Sequence, residues 1–188
     1  MIYLEETFSL APASPETLDT FIEFAQNQFV SVVQHLGARL AAAWSSNAEL
    51  FAQVTQVLEF DDIEALKTFR MKTSQNSDWG RYLAKLEELA PQRRSRLLEP
   101  LRPVPPATLH GVIAESQKSP LGTYFLAVLE VAADNMENFM AELKERFQSL
   151  PIVASWRPVA FKRNQIIDLW KGPLTQSAYQ PADDWSKE

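Results

Sequence analysis

RLAAAWSSNAELFAQVTQVLEF at residues 39–60 and PIVASWRPVAFKRNQIIDLWKG at residues 151–172 decide the fold between them. A gapless offset of 112 residues lays Ala42, Trp44, Ala48 and Gln53 on Ala154, Trp156, Ala160 and Gln165. Tryptophan is rare and the spacing is unbroken, so internal duplication is the simplest reading. Residues 39–45 and 51–60 read as strands joined by Ser46-Asn47-Ala48-Glu49, a connection short enough for an antiparallel hairpin. Residues 152–157 and 161–170 read as the corresponding pair.

Upstream of the first hairpin, residues 2–8 alternate apolar with polar side chains until Ala11-Pro12-Ala13 interrupts them, the pattern of a strand and its exit. Ser14 is placed to cap a helix with Pro15 at its first position. Leu18, Phe21, Ile22, Ala25, Phe29, Val32, Val33 and Leu36 then recur at helical spacing, and Gly37 supplies the stop. Downstream, Asp61-x-x-Glu64 reads as a capping box for a helix to about residue 73. Ser77-Asp78 opens a further helix with Trp79, Tyr82, Leu83, Leu86 and Leu89 on one face, and residues 96–98 return as a strand. The order β-α-β-β-α-β is ferredoxin-like.

Pro100, Pro103, Pro105 and Pro106 predict an extended linker, which places a ferredoxin-like domain at 1–103 and a second repeat at 104–188. Residues 107–116 carry no decisive pattern. Residues 124–131 read as a buried strand, and Asp134-x-x-Glu137 as the cap of a helix with Met136, Phe139, Met140, Leu143 and Phe147 facing inward. An offset of 118 lays these on Leu18, Phe21, Ile22, Ala25 and Phe29. Too few residues follow Trp170 for both a full helix and a fourth strand, so the second copy is expected to be partly truncated or rearranged. The expected class is α+β, two tandem ferredoxin-like halves with antiparallel sheets.

Composition removes several functions. The net charge of -6, with basic residues dispersed except at Arg93-Arg94-Ser95-Arg96, disfavours nucleic acid as a partner. The absence of cysteine excludes disulfides, thiolate metal sites and cysteine nucleophiles, and fits a cytoplasmic protein. No run of 18 apolar residues occurs and the N-terminus has no export signature, so membrane insertion is not expected. Two histidines leave no metal-ligand spacing, and no G-x-S-x-G elbow or phosphate-cradling loop occurs. Neither metal nor cofactor is expected.

The chain resembles the NIPSNAP family across most of residues 1–103. The resemblance rests on MIYLEETFSL at 1–10, HLGARLAAAWSS at 35–46, ELFAQVTQVLEFDDIEAL at 49–66 and SDWGRYLAKLEELAPQRRSRLLEPL at 77–101; FKRNQIIDLW at 161–170 looks like a second copy of the family's third strand. It implies the dimeric α/β-barrel type of ferredoxin-like fold, and with it a homo-oligomer; the alternative is that the two halves of one chain cover each other. The family often carries histidine where this chain has Gln56 and Asp168. It implies no agreed activity.

The candidate ligand-binding residues are Trp44, Gln56, Trp156 and Asp168. One face of a ferredoxin-like sheet packs on its helices, and the cavity between the other face and a partner sheet, as in α/β-barrel relatives, is the expected place for a ligand. Gln56 and Asp168 occupy equivalent positions, and alternation puts Val54, Gln56, Leu58 and Phe60 on one face, with Gln53, Thr55, Val57 and Glu59 on the other. Asp168, between Ile167 and Leu169, reads either as a buried general base or as a hydrogen-bonded aspartate at a strand edge. Trp44 and Trp156 either wall a pocket for a flat apolar molecule or pack the core. His35 reads as a partner of its helix C-terminus, His110 has no partner nearby in sequence, and residues 93–96 read as a solvated turn. Binding of a small apolar ligand is the first functional expectation. The alternatives are a cofactor-independent monooxygenase or isomerase, with Asp168 as base, and a protein-interaction module.

Overall fold

The computed structural model describes residues 1–48, 51–116, 118, 124–160 and 162–172. The chain divides into two compact units, one of residues 1–99 with 158–161 and the other of residues 100–157 with 162–188. The class is α+β, and its strands pair antiparallel.

In the first unit, strand β1 (Ile2–Ser9) leads to helix α1 (Pro15–Phe24), a π-helical turn (Ala25–Phe29) and helix α2 (Val30–Leu36). Ser14 Oγ accepts from the Thr17 N–H at 3.2 Å with Pro15 in the first turn, as the sequence predicts. The Val30 N–H reaches back to the Ala25 carbonyl, one residue beyond α-helical reach, so one continuous rod carries a π turn that the apolar spacing does not reveal. Gly37 ends the rod at φ 96°, a left-handed conformation that a Cβ disfavours. Nothing lies within 4 Å of where that Cβ would stand, so Gly37→Ala is expected to cost only the backbone term, about 1 kcal/mol, in urea denaturation.

Strands β2 (Arg39–Ala48) and β3 (Phe51–Phe60) form the hairpin; β2 runs three residues beyond its expected end, β3 keeps its expected bounds, and the turn at 49–50 lies outside the described residues. Helix α3 (Ile63–Gln75) is capped by Asp62, whose Oδ1 accepts from Ala65 N–H at 2.8 Å, rather than by Asp61. Helix α4 (Ser77–Leu89) is capped by Asn76, not by Ser77 or Asp78. Both corrections have one cause: adjacent polar residues compete for one N-cap, and the helix takes the one already in extended conformation. Strand β4 (Gln92–Pro100) is longer than its three expected residues and includes the whole of 93–96, so that run is strand and not turn. The strand order β2-β3-β1-β4 is ferredoxin-like. Leu4, Phe8, Val54, Leu58 and Phe60 pack on Phe21, Phe29, Val33, Leu66 and Tyr82, and this sheet–helix layer is the core of the unit.

In the second unit the proline-rich segment gives way to helix α5 (Pro106–Ser116), which begins on the last of its prolines and fills the stretch that carried no decisive pattern. Strand β5 (Tyr124–Glu130) is an outer strand with Phe125, Val128 and Leu129 exposed, not the buried strand its apolar run suggests. The Asp134 cap is also corrected: Asp134 lies in a 3-10 turn, and no side chain caps helix α6 (Met136–Arg146). Leu143 is buried, and Met136, Phe139, Met140 and Phe147 pack inward beside it, as expected. Strands β6 (Ile152–Pro158) and β7 (Gln165–Lys171) follow, the latter starting late because Lys162 adopts φ 40° in the turn before it. The order is β6-β7-β5.

The two hairpins share one register. Leu40 pairs with Leu58, Ala42 with Val57, Ala43 with Gln56 and Trp44 with Thr55; Ile152 pairs with Trp170, Ala154 with Leu169, Ser155 with Asp168 and Trp156 with Ile167. Each has its irregularity at the same place, between Leu40 and Ala42 and between Ile152 and Ala154.

Candidate functional site

Gln56 faces the helices, because it alternates with Val54 and Leu58, which lie in the sheet–helix core, so it is not on the opposite, barrel-side face where a ligand was expected. Across the β1–β3 ladder it stands opposite Glu6, and its Nε2 donates to Glu6 Oε2 at 2.9 Å. Burial pushes the Glu6 carboxyl above its ordinary value, against the Gln56 hydrogen bond and the charges of Arg93 and Arg70, which pull it down. Tyr82, stacked on Phe24 at 5.2 Å and against Phe29 and Trp79, turns a buried hydroxyl into this layer. That hydroxyl has no hydrogen-bond partner among the described residues. Burial first, then the charge of Glu6, pushes the phenol pKa up, so it stays protonated.

Beside Gln56 opens a groove of ≈ 320 Å³ between the α1–π rod and strands β2 and β3. Phe21, Ile22, Ala25, Val30, Leu40 and Val54 give it apolar walls. Gln56 is its buried polar group, whereas Gln26 and Ser45 at its rim are exposed. Trp44 also borders the groove, from a position that pairs with Thr55 on the opposite sheet face from Gln56.

Three ion or hydroxyl pairs on that opposite face escape sequence reading. Glu5 binds Arg96 at 3.0 Å, Glu59 binds Arg39 at 2.6 Å, and Thr7 meets Thr55 at 3.2 Å. Their only sequence signal is alternation, which places each on that face without naming its partner. Glu5, Thr7, Arg94 and Arg96 line a cavity of ≈ 180 Å³, and the Glu5 carboxylate already engages the guanidinium that an anion would need.

In the second unit Asp168 alternates with Ile166 and Trp170, which pack with α6, so it too faces the helix layer. It is 1% exposed, and Ser155 Oγ donates to its Oδ1 at 2.5 Å from β6. Burial raises its pKa to about 6 although the Ser155 hydrogen bond works the other way. Trp156 is 1% exposed and pairs with Ile167 on the face away from Asp168. The four candidates therefore do not converge: Trp44 and Gln56 border one groove, and Trp156 and Asp168 lie on opposite faces of their hairpin. His35 is in the last turn of α2, as expected, and His110 lies within α5. A wider groove of ≈ 820 Å³ runs between residues 100–106 and Met140, Ala141 and Lys144, with Arg102 and Lys144 exposed at its edge and no buried polar group. Among the described residues no group of three or more His, Cys, Asp or Glu side chains is placed to hold a metal ion, and no helix is long and apolar enough to cross a membrane.

No family model and no curated protein matches the chain. Solved structures do match. An uncharacterised NIPSNAP domain protein from Burkholderia xenovorans is similar over 56% of this chain and 99% of its own, at 16% identity and a TM-score of 0.49. A NIPSNAP family protein from Agrobacterium tumefaciens is similar over 55% of this chain and 96% of its own, at 13% identity and a TM-score of 0.48. NIPSNAP proteins are thus among its structural neighbours. A protein from Fusobacterium nucleatum, proposed by its name to be a monooxygenase, is similar over 92% of this chain and 76% of its own, at 11% identity and a TM-score of 0.57. That likeness is one of fold.

Proposed function

We propose that this NIPSNAP-like protein binds a small apolar molecule, and that its two units are tandem ferredoxin-like copies of the α/β-barrel type, the second partly truncated. The observation that carries the binding reading is the ≈ 320 Å³ groove beside Gln56, apolar in its walls and polar at one buried point. Small-molecule sites have this composition, and its size falls at their lower end. The tandem reading rests on the shared register and shared irregularity of the two hairpins. Trp44 and Gln56 are the ligand residues of the first copy, with Trp156 and Asp168 their counterparts in the second. The site needs no cofactor or metal. Self-association through the exposed apolar residues of β5 accompanies binding, and a cytoplasmic location fits a chain without cysteine.

Native mass spectrometry of the untagged protein, with release of small molecules on denaturation, tests the proposal. The wild type should carry a defined small mass, and Ala43→Phe, which puts a ring into the groove from an exposed strand position, should lose it while remaining folded. Equal cargo in both would place the ligand elsewhere.

A second reading is favoured by Asp168. A buried carboxyl with a pKa of about 6 is suited to accept a proton, and a cofactor-independent monooxygenase or isomerase would use it as its base. None of the grooves described above is lined by Asp168, so binding remains the stronger reading.

A further inference from the structure

The groove has a chemical polarity that its apolar walls conceal. Glu6 Oε2 accepts a hydrogen bond from Gln56 Nε2 at 2.9 Å. This fixes the amide: its NH2 group faces the carboxylate, and its carbonyl oxygen must face away. Gln56 is 3% exposed and lines the groove, yet Oε1 takes no hydrogen bond among the described residues and is not one of the fully enclosed orphan atoms. The small remaining exposure of Gln56 therefore includes an unengaged acceptor.

We propose that the groove selects small amphiphiles carrying a hydroxyl or amine, whose N–H or O–H donates to Gln56 Oε1 while the apolar body lies along Phe21, Leu40 and Val54. A molecule without a donor would leave a buried acceptor unsatisfied, and a carboxylate would set lone pairs against the amide oxygen with Glu6 close behind it. The volume of ≈ 320 Å³ suits on the order of ten non-hydrogen atoms, at about 30 Å³ each. Gln56 is thus the specificity residue, and Glu6 acts through it as a positioning residue. This inference rests on the binding reading above and adds the ligand's chemistry to it.

The test compares two isomers of equal apolar content, 1-nonanol and methyl octyl ether, by isothermal titration calorimetry on the full chain. The alcohol is expected to bind roughly tenfold more tightly, the value of one net hydrogen bond of about 1.4 kcal/mol. In Gln56→Leu that ratio should fall towards unity. Because this change strands the Glu6 carboxylate, the Glu6→Leu/Gln56→Leu pair is made as well. It removes both partners together, which preserves folding better than removing one, and circular dichroism checks that it does. Equal affinity for the isomers in the wild type, or an unchanged ratio in the double variant, would overturn the selectivity and leave apolar binding standing. Failure of the wild type to bind either isomer would overturn both.

Discussion

Asp168→Asn is expected to make the protein more stable at pH 8, by about 2 kcal/mol, and to flatten its stability between pH 4 and 6. The native carboxyl has a pKa of about 6, against an ordinary value of 3.8 when the chain is unfolded. The folded state therefore binds this proton more tightly than the unfolded state. Below about pH 4 both states are protonated and Asp168 is neutral in its effect. As the pH rises towards 6, unfolding comes with loss of the proton, so stability falls. Above 6 the native state holds a buried charge that the unfolded state solvates freely. A separation of about two pKa units at 1.36 kcal/mol each puts the deficit near 3 kcal/mol. Asparagine keeps an acceptor for Ser155 Oγ without the charge, but its NH2 group brings two donors that need partners, which lowers the expected gain. Urea denaturation at several pH values measures it. A variant that is less stable than the wild type at pH 8 would show that the ionised form has a compensating donor, and the case for a destabilised carboxylate would fall. An assay showing lost turnover in the same folded variant would instead favour the enzymatic reading.

What could be read from the sequence follows the range of the interaction responsible. Ser14, Pro15 and Gly37 act within one turn of their own positions, and each does what its residue type implies. The helix caps at Asp62 and Asn76 miss by one residue because neighbouring polar side chains are nearly equivalent as caps, and only backbone conformation chooses between them. The shared register of the two hairpins is legible because Trp44 and Trp156 anchor an unbroken spacing. Alternation likewise separated Gln56 from Thr55, but it could not say which face meets the helices. Glu6 carries no sequence signal for a different reason. Its partner, Gln56, is 50 residues away, and the register between β1 and β3 makes the pair. Nothing local distinguishes Glu6 from Glu5, which turns to the other face and binds Arg96. The groove depends on the packing of the α1–π rod over β2 and β3, a distance set by many side chains at once.

Trp156→Ala should cost about 3–5 kcal/mol, whereas Trp44→Ala should cost about 1 kcal/mol, even though the two residues hold equivalent places in their hairpins. Both sit one residue past the Ala43–Gln56 or Ser155–Asp168 pair, opposite Thr55 or Ile167. Their surroundings differ. Trp156 is 1% exposed, so truncation removes a large apolar contact area and leaves a void that a close-packed interior cannot fully close. Trp44 is half-buried on β2, an outer strand with a neighbour on one side only, so much of its ring already meets water. Alanine there gives up less transfer energy and opens no closed cavity. Equilibrium urea denaturation of both variants decides the matter, since an unchanged m-value makes the midpoint shift a direct reading of stability. A small loss at Trp156 would mean that its side chain is replaceable in the core, and would favour its role as a ligand wall. A loss at Trp44 as large as that at Trp156 would mean that the exposed part of its ring is covered in solution, either by a second copy of the chain or by a ligand in the groove it borders. Repeating the Trp44→Ala measurement over a hundredfold range of protein concentration separates those two, because only a second copy makes the loss depend on concentration.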